Sequence, residues 1–439
     1  MNARRHENHA CMTLDDVLSR IGGKTFGAAL SPHWDDSSSS LPEGPLPFLV
    51  PSAAHSSRAW CGLPADADAI LDKAAKAISS DAALRLLAWH AYRRLHDWPE
   101  DGGFNNWPTL EAPLGDLCGC FYLLIGLSIV PKVRELHASM GIAERVTRDT
   151  CGQVSASALN YRRGWDGRLG IPKEQLHWYH HYLAGRLFRL DRFEFKLERF
   201  RPQCHVFRHR RAGHVVALAT GVVRYTADGL AVREDVPADL EGSWTTDFEL
   251  TDEYALGYPI APNGCAIPQQ VRLPLEAWAH VTPADEFTLD MHIPAGGDMT
   301  HGRCVNSMRQ GVTFFRRHFP EKSFATISCS SWIYGPQLED VLPSTANLVR
   351  HMREVYLFPV SCAQGSGLWF IFLRDPVDLA TAPRVSSLQR AVANHLDAGG
   401  AWRAGGMFFL VDDLDHYGSR HYRAQWPSAA KSLEVLAIP

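Results

Sequence analysis

An aspartate stands two residues ahead of a histidine in Asp290-Met291-His292, and Pro294, Ala295, Gly296, Gly297 and Asp298 follow shortly after. The segment 287–293 alternates apolar and polar residues. On a strand this puts Phe287, Leu289, Met291 and Ile293 on one face and Thr288, Asp290 and His292 on the other. A carboxylate beside an imidazole suits general base catalysis, because imidazole is the side chain type that ordinarily exchanges its proton near neutral pH. The glycines let backbone N–H groups approach an anion, and the N-terminus of a helix predicted over 303–319 adds partial positive charge. Ile293, Gly296, Gly297 and Asp298, with Ser331 on the next strand, are thus candidate contacts for a phosphorylated cofactor such as CoA. The same residues would also make an ordinary surface turn.

The elements that position these residues are legible in outline. Asp81 can cap a helix in which Leu84, Leu87, Ala88, Ala91 and Leu95 repeat at three and four residues. A second stripe runs from Leu114 to Ile125, Pro131 interrupts it, and 146–161 gives another helix. Residues 32–64, rich in serine and proline, read as loop. From residue 188 the pattern changes to strands at 188–197, 215–225 and 271–273. The order then becomes strand 287–293, helix 303–319, strand 324–334, interrupted helices over 336–354, and strands 356–360 and 368–374. Ser386 and Gln389 form a capping-box pattern for a late helix that Gly399 and Gly400 can end. The fold class expected is α+β: a mainly helical domain over 1–170, a domain with a mixed, mostly antiparallel sheet flanked by helices over 171–411, and a tail over 412–439.

Composition bounds the partners. The 439 residues suffice for two or three domains, and 44 Lys plus Arg against 48 Asp plus Glu leave a net charge of -4, which gives no electrostatic case for nucleic acid or a membrane surface. The densest basic patch, Arg208, Arg210 and Arg211 with His205, His209 and His214, reads as an exposed hairpin. Ten cysteines without regular spacing suggest free thiols in a reducing cytoplasm. No secretory signal is visible in residues 1–12. The longest apolar run, 118–130, has 13 residues and falls short of the roughly 20 needed to cross a bilayer, so no membrane insertion is expected. His177 and His181 lack the Glu of H-E-x-x-H and a third ligand, so no metal is expected. There is no G-x-S-x-G elbow, P-loop or H-H-x-x-x-D-G motif.

Several further stretches carry a family resemblance: Gly257-Tyr258-Pro259-Ile260 with Pro262 and Gly264, Leu273-Pro274-Leu275 before Trp278, and His292-Ile293-Pro294 with Gly296-Gly297. To these are added Phe314-Phe315-Arg316-Arg317-His318-Phe319-Pro320, Cys329-Ser330-Ser331-Trp332 with Pro336-Gln337-Leu338, and Leu388-Gln389 through Trp402-Arg403. Together they resemble acyltransferases that join a helical N-acyltransferase N-terminal domain to a GNAT-like C-terminal domain, over most of 185–410. The resemblance implies transfer of an acyl group from acyl-CoA, or from an acyl carrier protein, to an amine. The chain departs from ordinary GNAT enzymes in lacking the Q/R-x-x-G-x-G/A pyrophosphate loop, for which the Gly296-Gly297 turn is the substitute.

Aminolysis of a thioester needs a neutral amine, a place for the oxyanion and a proton for the leaving thiolate. His292 is the candidate base, Asp290 its orienting partner, and backbone N–H groups near Ile293 the oxyanion site. Tyr334 is the candidate proton donor, unless it only packs. Cys329 would serve a ping-pong route as nucleophile, or else be an inert core residue; direct transfer is preferred.

Overall fold

The computed structural model describes residues 12–99, 103–200, 204–237, 240–283, 286–374 and 377–435. The chain divides into two compact units, Met1–Arg189 with Pro294–Gly296, and Leu190–Ile293 with Gly297–Pro439.

The first unit is built of helices around one buried rod. Asp81 caps Ala82–His96 by accepting from the N–H groups of Ala83 and Leu84, and the predicted stripe Leu84, Leu87, Ala88, Ala91 and Leu95 is buried. Every residue of Cys118–Leu127 is buried, packed by Asp68–Ser80, Ala82–His96 and Glu144–Gly164. One approach is too close for any side chain: a Cβ on Gly170 would lie 2.5 Å from the Cα of Gly119. Pro131 does not break the chain's helicity, because Ile129–Ser139 starts two residues earlier and a first-turn N–H has no intrahelical acceptor.

Two expectations for this unit need correction, and its longest apolar segment is longer than the sequence run suggested. Residues 32–64 are not mainly loop: Trp34–Ser39 and Pro51–Trp60 are helical, the latter with proline at its first position, where the fixed φ favours a helix start. The unit ends at Arg189 and not at 170, because Gln175–Leu183 is a further helix whose Leu176, Tyr179 and Tyr182 join the same core. The stretch Glu111–Ser139, 29 residues long, is by length and composition apolar enough to cross a membrane. In the fold it is broken into shorter helices at Gly115 and Ser128, and most of its apolar window is buried.

The second unit carries five strands of a six-stranded main sheet, β1 (Phe193–Arg199), β2 (Phe287–His292), β3 (Phe324–Ser331), β4 (Tyr356–Pro359) and β5 (Gly405–Leu410), the sixth strand being Phe188–Leu190. These strands lie in the order β1-β2-β3-β5-β4, and only β2 and β3 are parallel. Helices α1 (His301–His318) and α2 (Asn347–Glu354) pack on one face. Gly311 of α1 lets that helix close on the sheet, since a Cβ there would stand 3.1 Å from Phe195 and 3.2 Å from Leu289. At the far side Tyr356 ties the main sheet to a second, antiparallel one: its hydroxyl donates to the Ile260 carbonyl at 2.5 Å and accepts from the Ala217 N–H at 3.2 Å. The basic cluster is the hairpin expected, joining Cys204–His209 to Val215–Ala219 with Arg210 and Arg211 exposed at its tip.

Here too the structure departs from the sequence pattern. The predicted strand 188–197 is broken at Asp191, whose left-handed φ of 66° turns the chain. Residues 368–374 are not a strand: Leu368–Phe372 is a short helix between left-handed Gly367 and Leu373, and a five-residue apolar run carries no periodicity able to separate the two outcomes. Strand β5 was not anticipated. The segment after 411 is no detached tail, since Glu434–Val435 pairs with Val271–Pro274 and Tyr422 is buried. The late helix Ser387–Asp397 has its capping box from Ser386 and Gln389, and Gly399, at φ 79°, ends it.

Tyr422 donates to Asp413 Oδ2 at 3.1 Å and accepts from the Leu410 N–H at 2.8 Å. Tyr422→Phe leaves that buried N–H without its acceptor, so stability should fall by about 1–3 kcal/mol, read from the urea midpoint at unchanged slope.

Candidate active site

The parallel ladder between β2 and β3 pairs Phe287 with Phe324, Thr288 with Thr326, Leu289 with Ile327 and Asp290 with Ser328, and stops there. Both strands continue, β2 to His292 and β3 to Ser331. Beyond Asp290 and Ser328 the two strands therefore run on without pairing to each other, and a gap opens at their carboxyl ends. β2 meanwhile stays paired to β1 through His292, and β3 to β5 through Ser331. Such a gap leaves main-chain groups of both strands pointed at a common space.

His292 and Asp290 stand at the lip of this gap on one face. The His292 Nε2 lies 2.8 Å from Asp290 Oδ2, and the two side chains are partly exposed, at 30% and 22%. An ionised carboxylate only accepts, so Nε2 carries the proton and the basic lone pair of the neutral ring is on Nδ1. Lys196 Nζ approaches the same carboxylate at 3.8 Å, and buried Glu194 stands opposite His292 in the β1–β2 register. On the same face the hydroxyls form a file: Thr326 Oγ1 lies 2.9 Å from Thr288 Oγ1, which lies 3.0 Å from Ser328 Oγ. Glu194 and Lys196 were not singled out from sequence. Their alternation in 193–199 was visible, but the register that faces them toward His292 and Asp290 was not.

The turn after β2 has the conformation that its glycines permit, with φ of 80° at Gly296 and 76° at Gly297. Arg303, in the first turn of α1, lies against Gly297, where a Cβ would come within 3.1 Å of its Nη1. A guanidinium and a helix N-terminus thus meet beside the turn. Asp298 is engaged locally, accepting at Oδ1 from Thr300 Oγ1 and Arg303 Nη1, each at 3.4 Å.

Cys329 and Tyr334 belong to the opposite, helix-covered side. Cys329 is buried, and burial pushes its thiol well above the ordinary range; Tyr334 hydrogen-bonds it. The Tyr334 hydroxyl lies 3.1 Å from His351 Nε2, and His351 Nδ1 lies 2.8 Å from the Tyr417 hydroxyl, which in turn meets the Cys304 thiol. Burial, then the charge of Arg192, lowers His351 to about 3. The imidazole is therefore neutral, accepting from one tyrosine and donating to the other. The structure brings His292 and Asp290 together and sets Cys329 and Tyr334 apart from them, across the sheet. Ser331 caps the short turn Trp332–Tyr334 by accepting from the Ile333 N–H at 3.5 Å. Among the described residues no cluster of three or more metal-ligating side chains occurs.

Family models match in two consecutive blocks: the N-acyltransferase N-terminal domain over residues 54–185, and the GNAT-like C-terminal domain over residues 187–409, half of the chain. No curated protein matches. Among solved structures, an acyltransferase mutant in complex with octanoyl-CoA is 22% identical with a TM-score of 0.61, covering 91% of this chain and 99% of that one. An acyltransferase in complex with decanoyl-CoA and teicoplanin is 23% identical with a TM-score of 0.59, covering 91% and 100%. Another, with CoA and 10C-teicoplanin, is 23% identical with a TM-score of 0.61 over the same shares. These likenesses establish a common fold over both units.

The buried histidine has a consequence for acid stability. His351 titrates at about 3 in the fold against an ordinary 6.5, so the unfolded chain takes up its proton first. Stability is full above 6.5 and is lost as pH falls from 6.5 toward 3, by up to about 1.4 kcal/mol per pH unit for one such group. His351→Gln should lower stability at pH 7 and flatten this acid slope by one proton's share, as urea titrations at pH 4, 5 and 7 would show.

Proposed function

We propose that this chain, which belongs to the N-acyltransferase family with a GNAT-like C-terminal domain, transfers an acyl group from an acyl-CoA thioester directly to an amine. The observation that carries the mechanism is the end of the β2–β3 ladder at Asp290 and Ser328, with His292 at its lip. The pantetheine arm of CoA is an extended chain with two amides. It fits a gap between parallel strands as an added strand fits a sheet edge. The Gly296-Gly297 turn and the start of α1 offer the backbone N–H groups that a pyrophosphate needs, while Arg303 beside them is held by Asp191 and Asp298 at 3.1 and 3.4 Å.

His292, oriented by Asp290, takes a proton from the acceptor ammonium at Nδ1. The neutral amine nitrogen attacks the thioester carbon, and main-chain N–H groups near Ile293 hold the oxyanion. Having released the first proton to solvent, His292 takes the second from the attacking nitrogen; collapse then breaks the C–S bond, forms the amide and releases CoA thiolate, to which the imidazolium returns that second proton. Tyr334 and Cys329, on the far face, have no part in this route. CoA, rather than a carrier protein, is favoured as donor because similar structures hold octanoyl- and decanoyl-CoA, which also points to medium-length acyl chains. Teicoplanin in two of them makes an amine on a peptide or glycopeptide the acceptor class to try first. A cytoplasmic setting is supported by the described cysteines, all of which are free thiols.

His292→Ala should lower kcat for amine acylation by about 10²- to 10⁴-fold. Decanoyl-CoA at ~100 times its Kd should still stabilise that variant by roughly 2.7 kcal/mol, as it does the parent protein. A variant that turns over at the parent rate would refute the assigned base. Cys329→Ala should keep its rate within a few-fold, and intact-protein mass spectra after mixing with decanoyl-CoA should show no acyl adduct; an adduct lost in that variant would establish the covalent route instead.

A further inference from the structure

Three hydroxyls bridge β2 and β3 just short of the place where the two strands part. Thr326 Oγ1 lies 2.9 Å from Thr288 Oγ1, which lies 3.0 Å from Ser328 Oγ and 3.1 Å from the Thr326 carbonyl oxygen. Exposure rises along the file: Thr326 and Thr288 are buried at 0% and 3%, and Ser328 is half-buried. Ser328 belongs to the last rung of the parallel ladder, opposite Asp290. Its contact with Thr288 puts it on the face that also carries Asp290 and His292.

Each hydroxyl has one hydrogen to give and lone pairs with which to accept. Thr326 donates to Thr288 and Thr288 donates on to Ser328, so the Ser328 oxygen is approached from behind by a buried donor. Its own hydrogen then has no acceptor among the described residues. A donor held in this way, at the rung where the ladder stops, is available to whatever enters the gap.

We propose that Ser328 is a catalytic residue that hydrogen-bonds the thioester sulfur as it departs, and that Thr288 and Thr326 are positioning residues that aim its hydroxyl. This rests on the acyl-transfer reading above and adds the group that meets the leaving atom. With the pyrophosphate at the start of α1, which follows β2, the pantetheine arm enters the gap from the carboxyl ends of the strands. The thioester, at the inner end of that arm, then stands where the strands converge, at the rung of Asp290 and Ser328. When the C–S bond breaks, its electron pair goes to sulfur. Ser328 donates a hydrogen bond to this thiolate and keeps its proton, while the His292 imidazolium supplies the proton that ends on sulfur. The hydrogen bond is weak to a neutral thioester and charge-assisted to a thiolate, so it favours the transition state over the bound substrate.

Free CoA supplies the leaving group without turnover, and desulfo-CoA, in which hydrogen replaces the thiol, is its control. Both are titrated calorimetrically into the full chain, Ser328→Ala and Thr288→Val between pH 7 and 9.5. In the parent protein the preference for CoA over desulfo-CoA should grow by about tenfold as the thiol ionises, the size expected for a charge-assisted hydrogen bond. Ser328→Ala should lose that growth while binding desulfo-CoA as the parent does, which also shows that the variant is folded; Thr288→Val should keep part of it. With an amine that the parent acylates, Ser328→Ala should lower kcat by about tenfold at unchanged KM for decanoyl-CoA. A preference that does not change with pH in the parent, or one that survives whole in Ser328→Ala, would overturn the assignment. A pH-dependent preference that needs Ser328, in a protein that acylates no amine, would keep the thiolate site and refute acyl transfer instead. No binding of CoA, desulfo-CoA or decanoyl-CoA by the folded parent would refute the acyl-CoA reading and this role together.

Discussion

Main-chain hydrogen bonding between two parallel strands, and the place where it ceases, governs what the rest of the second unit can do. The β2–β3 ladder holds only as far as Asp290 and Ser328. Antiparallel neighbours on both outer sides keep each strand straight beyond that point, so the two diverge as rigid walls and not as frayed ends. A gap of this kind presents peptide groups in fixed orientation, which is what stabilising a developing oxyanion requires. Helix α1 closes on the sheet at Gly311, and the glycine turn that starts the crossover follows β2 in the chain.

The two faces of this sheet show how burial decides reactivity. His292 and Asp290 remain partly exposed to solvent. On the other face Cys329, Tyr334, His351, Tyr417 and Cys304 form a continuous polar file in which every member is buried and each hydrogen bond satisfies a group that water cannot reach. Desolvation holds these thiols and phenols protonated and the imidazole neutral.

Much of this was legible in the sequence, and the parts that were not share a cause. Local signals were faithful: Asp81 and Ser386 cap the helices they were expected to cap, and the period-two pattern of 287–293 puts Asp290 and His292 on one face. What sequence could not give was relation between distant segments. The register that sets Lys196 near Asp290, the face separating Tyr334 from His292, and the end of the β2–β3 ladder all depend on pairing across more than thirty residues. Short apolar runs failed for another reason. Leu368–Phe372 and Gly405–Leu410 are similarly apolar, yet one is a helix and the other a strand, because tertiary surroundings decide where periodicity is absent.

The place of β5 in the sheet also bears on how the chain is made. It sits between β3 and β4 although it is the last of the five strands to be synthesised, and Glu434–Val435 adds to an edge of another sheet later still. A ribosome delivers the helical unit complete while β3 still presents a bare edge with nothing to pair against. The second unit therefore closes only when nearly the whole chain has emerged, and until then it offers chaperones, or other nascent chains, the strand edge that β5 will cover.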